Sequence, residues 1–369
     1  MKNKKQEMKV GFDAKRAFQN NTGLGNYSRY LIDILTTYVP DFQYYLFAPK
    51  ETEKYKADSQ NFIITPKDKS LRFLWRSWGI KKDFEEKQIH IFHGLSNEIP
   101  FGLKNTNVST VVTIHDLIFL RFPNWYKPLD RLIYNFKFKY AAKNADRIIA
   151  ISEKTKSDLV EFYDISPEKI SVIYQNCHPR FGLKSELKYD VVERYKLKKK
   201  YIICVGTIEP RKNQINLAKA FDALKTDDVD LVIVGRGKEY KTELENYIKD
   251  KQNIHILGNV DNDELVALYQ NAQFAVYISI FEGFGIPVLE ALRAGVPVLA
   301  ATGSCLEEAG GDAALYVNPE DISAITEQLK LLLEDKTLHQ TLKNNAPKHL
   351  EKFDDKKIAE QIHKLYSTL

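Results

Sequence analysis

Two carboxylates flanking a run of glycines make the densest patch of chemistry-bearing residues in this chain. The segment Phe281-Glu282-Gly283-Phe284-Gly285-Ile286-Pro287-Val288-Leu289-Glu290-Ala291 sets Glu282 and Glu290 on either side of a glycine-rich turn. Glycines let a backbone approach a ligand closely, and a helix N-terminus offers unpaired N–H groups to anions. Pro287 suits the first turn of a helix and Gly295 its C-terminal stop. Glu282 then lies in the loop and Glu290 about one turn into the helix. A loop carboxylate accepts hydrogen bonds from sugar hydroxyls, and a second one a turn further on can hold a ribose diol.

Three other segments have the same placement, just after an apolar run. Gly206-Thr207-Ile208-Glu209-Pro210-Arg211-Lys212-Asn213 puts two adjacent cations before a helix, where a diphosphate would be held. Thr22-Gly23-Leu24-Gly25-Asn26-Tyr27-Ser28 reads as a glycine loop ahead of a helix, open to approach by phosphate or sugar. A dinucleotide fingerprint would want an acidic residue after the next strand, but that strand ends Phe47-Ala48-Pro49-Lys50, which argues against nicotinamide. In Thr113-Ile114-His115-Asp116 the histidine is either a core residue or a ligand contact at a strand end. Two D-x-D sequences, Asp228-Val229-Asp230 and Asp261-Asn262-Asp263, are read as structural, the first preceding its strand and the second capping a helix. No metal site is expected. The remaining histidines, His339, His349 and His363 among them, are read as surface residues.

These segments need strands to carry them. Apolar runs at 10–14, 44–48, 89–93, 109–114 and 147–151, then 201–205, 231–234, 254–257, 274–278, 296–300 and 314–317, read as strands. Helical patterns at 27–35, 134–143, 214–224, 239–249, 263–271 and 287–294 fall between them. Continuous apolar strands alternating with helices imply parallel sheets covered on both faces. A chain of 369 residues suits two such doubly wound α/β domains. The boundary is expected between 176 and 200, which gives domains of 1–180 and 181–355. In such folds ligands bind beyond the carboxyl ends of the strands.

Composition narrows the class. Hydrophobic residues make up 44% and charged residues 28%, so the chain is globular, and no apolar run approaches the ~20 residues of a membrane span. The three cysteines, Cys177, Cys204 and Cys305, are too far apart for a zinc site and odd in number, which fits a reducing compartment. The basic N-terminus lacks the apolar stretch of a secretory signal, so a cytoplasmic location is expected. Residues 1–180 hold 29 Lys and Arg against 20 Asp and Glu, whereas 181–369 hold 25 against 29. That asymmetry is either an uneven surface or a first half that meets an anionic membrane or a phosphate-bearing acceptor. Residues 71–82 (LRFLWRSWGIKK) and 121–143 (RFPNWYKPLDRLIYNFKFKYAAK) interleave aromatics with Lys and Arg. They read either as an amphipathic helix whose Leu132, Tyr134 and Phe138 are core, or as a peripheral membrane face.

Taken together, TGLGNYSRYL, VVTIHDL, ADRIIAISEKTKSDL, VGTIEPRKNQINLAKAF, LVIVGRGKEY, YISIFEGFGIPVLEALRAGVPVLA and EEAGGDAALYVNPED resemble glycosyltransferase family 4, the group 1 family, over nearly the whole chain. The resemblance implies the GT-B fold: two Rossmann-like domains facing a cleft, with a final helix near 356–369 returning to the first. It implies a retaining hexosyltransferase acting on a nucleotide-diphosphate sugar in surface polysaccharide or lipopolysaccharide synthesis. Arg211 and Lys212 would bind the diphosphate, Glu290 the ribose and Glu282 the donor sugar. His115 would contact the sugar near the reacting carbon. Gly23 and Gly25, with Gly283, Phe284 and Gly285, would line the donor. Thr207 stands where some members carry Arg, so Arg211 takes that role, and Glu308 matches the glutamate before the last glycine pair. The implied reaction is front-face substitution without metal or cofactor, with a glycan or lipid-linked glycan as acceptor and no nucleic acid. A sugar-nucleotide epimerase of the same fold and a non-catalytic nucleotide-sugar-binding subunit are the alternatives.

Overall fold

The computed structural model describes residues 7–68 and 74–369. Residues 71–73, the start of the first aromatic–basic run, lie outside the described residues. The chain divides into two compact units, residues 1–175 with 353–369 and residues 176–352. The crossings fall at 175/176 and 352/353, a few residues before the expected limits of 180 and 355.

Among its described residues the first unit has seven strands: β1 Lys9–Asp13, β2 Gln43–Phe47, β3 Phe62–Ile64, β4 Ile91–Gly94, β5 Ser109–Ile114, β6 Arg147–Ala150 and β7 Ile170–Val172. They pair in the order β3-β2-β1-β4-β5-β6-β7, all parallel. The central strands are buried on both faces, which is why their sequences read as unbroken apolar runs. The chain runs outward from β1 to β3 and returns to β4 on the other side, so the crevice between β1 and β4 is the switch point. The two edge strands β3 and β7 were not anticipated. Each has three residues and is only partly buried, too short for any periodicity.

The final helix, Asp355–Tyr366, belongs to this unit. Asp354 caps it by accepting from the Lys357 amide at 3.0 Å. Its inner face, Ile358, Ile362 and Tyr366, is buried. The Tyr30 hydroxyl donates to Asp355 at 3.1 Å, and the Tyr366 hydroxyl meets His93 Nδ1 at 2.6 Å. Apolar side chains buried in this way each contribute ~1.5–3 kcal/mol relative to exposure.

The second unit carries β8 Tyr201–Val205, β9 Asp230–Val234, β10 Ile254–Leu257, β11 Ala275–Tyr277, β12 Val298–Ala301 and β13 Ala314–Val317. The order is β10-β9-β8-β11-β12-β13, again all parallel, with the switch point between β8 and β11. Asp261 forms a capping box with Glu264 at the head of the helix Asn262–Asn271. Asp230 opens β9, where it is buried against Lys198 and His255. One expectation fails here: His349 is buried, not exposed, because its Nε2 donates to the Ala309 carbonyl at 2.9 Å.

Candidate active site

The cations of the second unit stand at its switch point. After β8 the chain makes a turn at Pro210–Lys212, passes Asn213 in the left-handed region (φ 64°) and enters the helix Gln214–Ala223. After β11 it forms the loop 278–285 and enters the helix Ile286–Arg293 with Pro287 in its first turn. The two loops are tied together through Arg211. Its Nη1 donates to the Phe281 carbonyl at 2.9 Å, and its own carbonyl accepts from the Ile280 amide at 2.9 Å.

Glu282 is the hub. Its carboxylate meets Arg211 Nη1 at 2.6 Å and Lys212 Nζ at 2.5 Å, and accepts from the Tyr277 hydroxyl at 3.2 Å. Lys212 also donates to the Tyr277 hydroxyl, and Arg211 Nη2 pairs with Glu209 at 2.7 Å. Burial alone would raise the Glu282 carboxyl, but the Lys212 and Arg211 charges outweigh it and hold it at about 2. Arg211, Lys212 and Glu282 together carry one net positive charge, which the Glu209 carboxylate paired with Arg211 balances.

Two features hold the loop in place, a cysteine that the sequence left unmarked and one of the glycines it did mark. The buried Cys305 thiol donates to the carbonyls of Glu282 (3.1 Å) and Phe284 (2.7 Å). Gly285 has φ +134°, and a Cβ there would stand 2.7 Å from Leu306 Cδ2, so only glycine fits. Phe284 is buried beneath the loop, so what it offers a ligand is backbone; Gly283 is half-buried. Glu308 lies in the first turn of the helix Leu306–Gly310.

Glu290 sits in the helix as expected, and its Oε2 accepts from the Tyr269 hydroxyl at 3.2 Å. Burial pushes its carboxyl up to about 7, partly offset by that hydrogen bond and by Arg180. The two glutamates of one motif are thus held in opposite protonation states at mildly acidic pH.

In the first unit His115 follows β5. Its amide donates to Asn97 Oδ1 at 2.7 Å, and its Nε2 donates to the Leu95 carbonyl at 2.9 Å. A carbonyl can only accept, so Nε2 carries the proton and Nδ1 the lone pair. Burial lowers the imidazole to about 4, with the Leu95 carbonyl opposing, so it is neutral near pH 7. The Tyr27 ring packs edge-on against it, with centroids 4.6 Å apart.

The glycine loop is a correction. Gly23 and Gly25 are not in a loop but in the first turn of the helix Gly23–Tyr38. Gly25 is buried, and a Cβ there would stand 2.1 Å from the Asn20 carbonyl oxygen, which explains the glycine by close backbone packing. Gly23 has open space about its Cα.

One cluster went unread at the unit's switch point. Arg76 pairs with Asp13, the last residue of β1, at 2.5 Å and with Glu98 at 2.7 Å, and Lys137 approaches Glu98 at 3.4 Å. With Ser77 and Tyr140 these residues line a cavity of about 20 Å³. Arg76 belongs to an aromatic–basic run, and only the fold brings it to Asp13.

Comparison with known proteins places this arrangement. Residues 24–175 match the model of "Glycosyltransferase Family 4" and residues 187–349 that of "Glycosyl transferases group 1". The O-antigen chain mannosyltransferase B of Escherichia coli is 29% identical over 269 residues, 70% of this chain and 68% of that one. The Campylobacter jejuni N-acetylgalactosamine-N,N'-diacetylbacillosaminyl-diphospho-undecaprenol 4-alpha-N-acetylgalactosaminyltransferase is 30% identical over 266 residues, 70% of this chain and 69% of that one. Matches to longer mannosyltransferases span about a third of their length. Among solved structures, sucrose-phosphate synthase from Thermosynechococcus elongatus superposes with a TM-score of 0.79 at 18% identity, over 98% of this chain and 99% of that one. Two parallel-sheet units, each with its candidate residues at strand carboxyl ends, and these relatives together show that the chain belongs to the group 1 glycosyltransferases of family 4, with the GT-B fold.

Proposed function

We propose that the chain transfers a hexose of the mannose or glucose type from a nucleotide-diphosphate sugar to a hydroxyl of a glycan or lipid-linked glycan. In this reading the anomeric configuration is retained and the product enters lipopolysaccharide or another surface polysaccharide at the inner face of the cytoplasmic membrane. The observation that carries it is the meeting of Arg211, Lys212 and Glu282 at the switch point between β8 and β11. The names of the relatives support it: one is a mannosyltransferase of an O-antigen chain, another acts on a diphospho-undecaprenol-linked acceptor.

The donor diphosphate displaces the Glu282 carboxylate from one of its two cations. The freed oxygen then accepts from the donor sugar's hydroxyls, while Arg211 and Lys212 stabilise the charge that develops on the leaving phosphate. Glu290 takes the ribose diol. His115, neutral, accepts from a sugar hydroxyl through Nδ1. The bond from C1 to the phosphate oxygen breaks as the bond to the acceptor oxygen forms on the same face, and the acceptor's proton passes to the departing phosphate. Because the side-chain cations do the neutralising, turnover should persist in EDTA; full loss, restored by Mn²⁺, would show a metal in that role.

Calorimetry with UDP, GDP and ADP tests the site directly. One diphosphate should bind, with Lys212→Ala and Glu290→Ala each weakening it by about 1–3 kcal/mol. Binding without turnover on any sugar donor would favour a nucleotide-sugar-binding subunit. No binding of any of the three, with folding intact, would overturn the reading.

A further inference from the structure

The helix Pro128–Asn144 has two apolar sides, and only one is buried. Ala141 and Ala142 are buried and Phe138 packs with them against the core built around Phe119 and Leu159. At about 100° per residue, the opposite side presents Leu129, Leu132, Ile133 and Phe136, spaced i, i+3, i+4, i+7. These are 68%, 65%, 43% and 63% exposed. Leu132, which a purely structural reading makes core, is among the most exposed apolar residues described. The patch is extended by Trp78, 53% exposed and stacked on Phe101 at 5.2 Å, with Phe101 in turn 5.9 Å from Phe136. Four large apolar side chains in one outward stripe exceed the scattered exposure expected of a solvent face.

The charge around the stripe selects its occupant. Residues 121–143 hold six Lys and Arg and one acidic residue, Asp130. Arg121 is spent on Asp158 and Glu161, and Lys137 on Glu98. Lys139 and Lys143 form no ion pair with a described residue, although Lys143 Nζ donates to the Asp164 carbonyl at 3.0 Å, and with Leu132, Asn135, Phe136 and Tyr140 they line a groove of about 400 Å³. A second copy docked on this stripe would set one basic face against another. An anionic bilayer answers both the apolar stripe and the lysines.

We propose that this helix face seats the protein on an anionic lipid surface, with the helix axis lying in the plane of the headgroups. Leu129, Leu132, Ile133 and Phe136 enter the acyl boundary, Trp78 rests at the headgroup level, and Lys139 and Lys143 meet lipid phosphates. The purpose of the contact, presenting a lipid-linked acceptor, rests on the proposed function; the contact itself does not.

Co-sedimentation with vesicles of phosphatidylcholine, with and without phosphatidylglycerol, tests it on the full chain. Binding is expected to vesicles containing phosphatidylglycerol and to weaken with salt. Lys139→Glu and Lys143→Glu should each lower the partition coefficient by about five-fold or more. The double variant Leu132→Glu/Phe136→Glu, both exposed positions, should abolish it while nucleotide-diphosphate binding stays unchanged. Absence of binding at low salt, or equal binding by the variants, would overturn the proposal. So would a concentration-dependent dimer, seen by light scattering without lipid and lost in the double variant, because the stripe would then be a protein interface. Failure of nucleotide binding leaves the vesicle result standing, so the two readings fail separately.

Discussion

Glu282 and Glu290 stand eight positions apart and pull stability in opposite directions as pH changes. Glu282 is held at about 2, below its ordinary value of 4.5, so the stability it contributes is present above that value and lost as pH falls toward 2. Glu282→Gln should therefore lower stability to urea near pH 7 by about 1–3 kcal/mol, and the deficit should close near pH 2. Glu290 is held at about 7, so it stabilises as the neutral acid below 4.5, and that contribution is lost as pH rises through about 7. Glu290→Gln should be indistinguishable from wild type near pH 4 yet more stable by about 1–3 kcal/mol near pH 8, while binding nucleotide more weakly. Proteolysis or urea titration at the two pH values, paired with calorimetry, checks both signs. A variant that loses affinity and stability together at pH 8 would mean that Glu290 serves packing. The residue types were legible in the sequence, because Glu, Gly, Pro and Glu at that spacing admit few readings. Their partners were not: Cys305 reaches Glu282 and Phe284 from another element, and the Arg76–Asp13 pair spans β1 and a distant helix, contacts that only the fold creates.

At the scale of elements, strands buried on both faces announce themselves and edges do not. The run 201–205 matches β8 because five continuous apolar residues, closed by Lys198–Lys200 and Gly206, are too few for a helix and suit a strand. Phe62–Ile64 and Ile170–Val172 are edges of three residues and leave no comparable signal. The helix Gly23–Tyr38 begins four residues before the pattern at 27–35, because Thr22 to Gly25 has the composition of a loop and helix propensity penalises glycine by about 1 kcal/mol. The close approach to Asn20 overrides that penalty. The pair of glycines can be told apart by substitution. Gly25→Ala should destabilise the first unit by about 1–3 kcal/mol, since backbone must move to admit the methyl. Gly23→Ala should leave stability unchanged or slightly raised. Thermal unfolding of the two variants decides this; equal losses would mean that the helix start is set otherwise. An amphipathic pattern also cannot say which of two apolar sides faces inward, which is why Leu132 was ambiguous until Phe138 was seen to take the core.

At the scale of the molecule, alternating strands and helices imply two α/β units, and the family resemblance adds a final helix returning to the first. The weight carried by that helix was not visible. Its Tyr366 is fully buried against His93, which also meets Thr113 at 2.8 Å, and Thr113 meets Tyr27, the residue packed on His115. Tyr366→Phe leaves a buried nitrogen without its partner and should cost about 1–3 kcal/mol. Hydrogen exchange should locate that loss in β4 and β5, with β8 to β13 unaffected; a loss spread over both sheets would contradict this division. The same helix sets the order of manufacture. A ribosome delivers β1 to β7 first, then all of the second unit, and only then Asp355–Tyr366. At ~5–20 residues per second the first unit waits roughly 10–35 s for the helix that covers it. During that interval the apolar surface destined for Ile358, Ile362 and Tyr366 is open to chaperones and proteases. The half of the protein made first is therefore the half finished last, and a chain that stalls before residue 355 lacks the helix that covers its first unit.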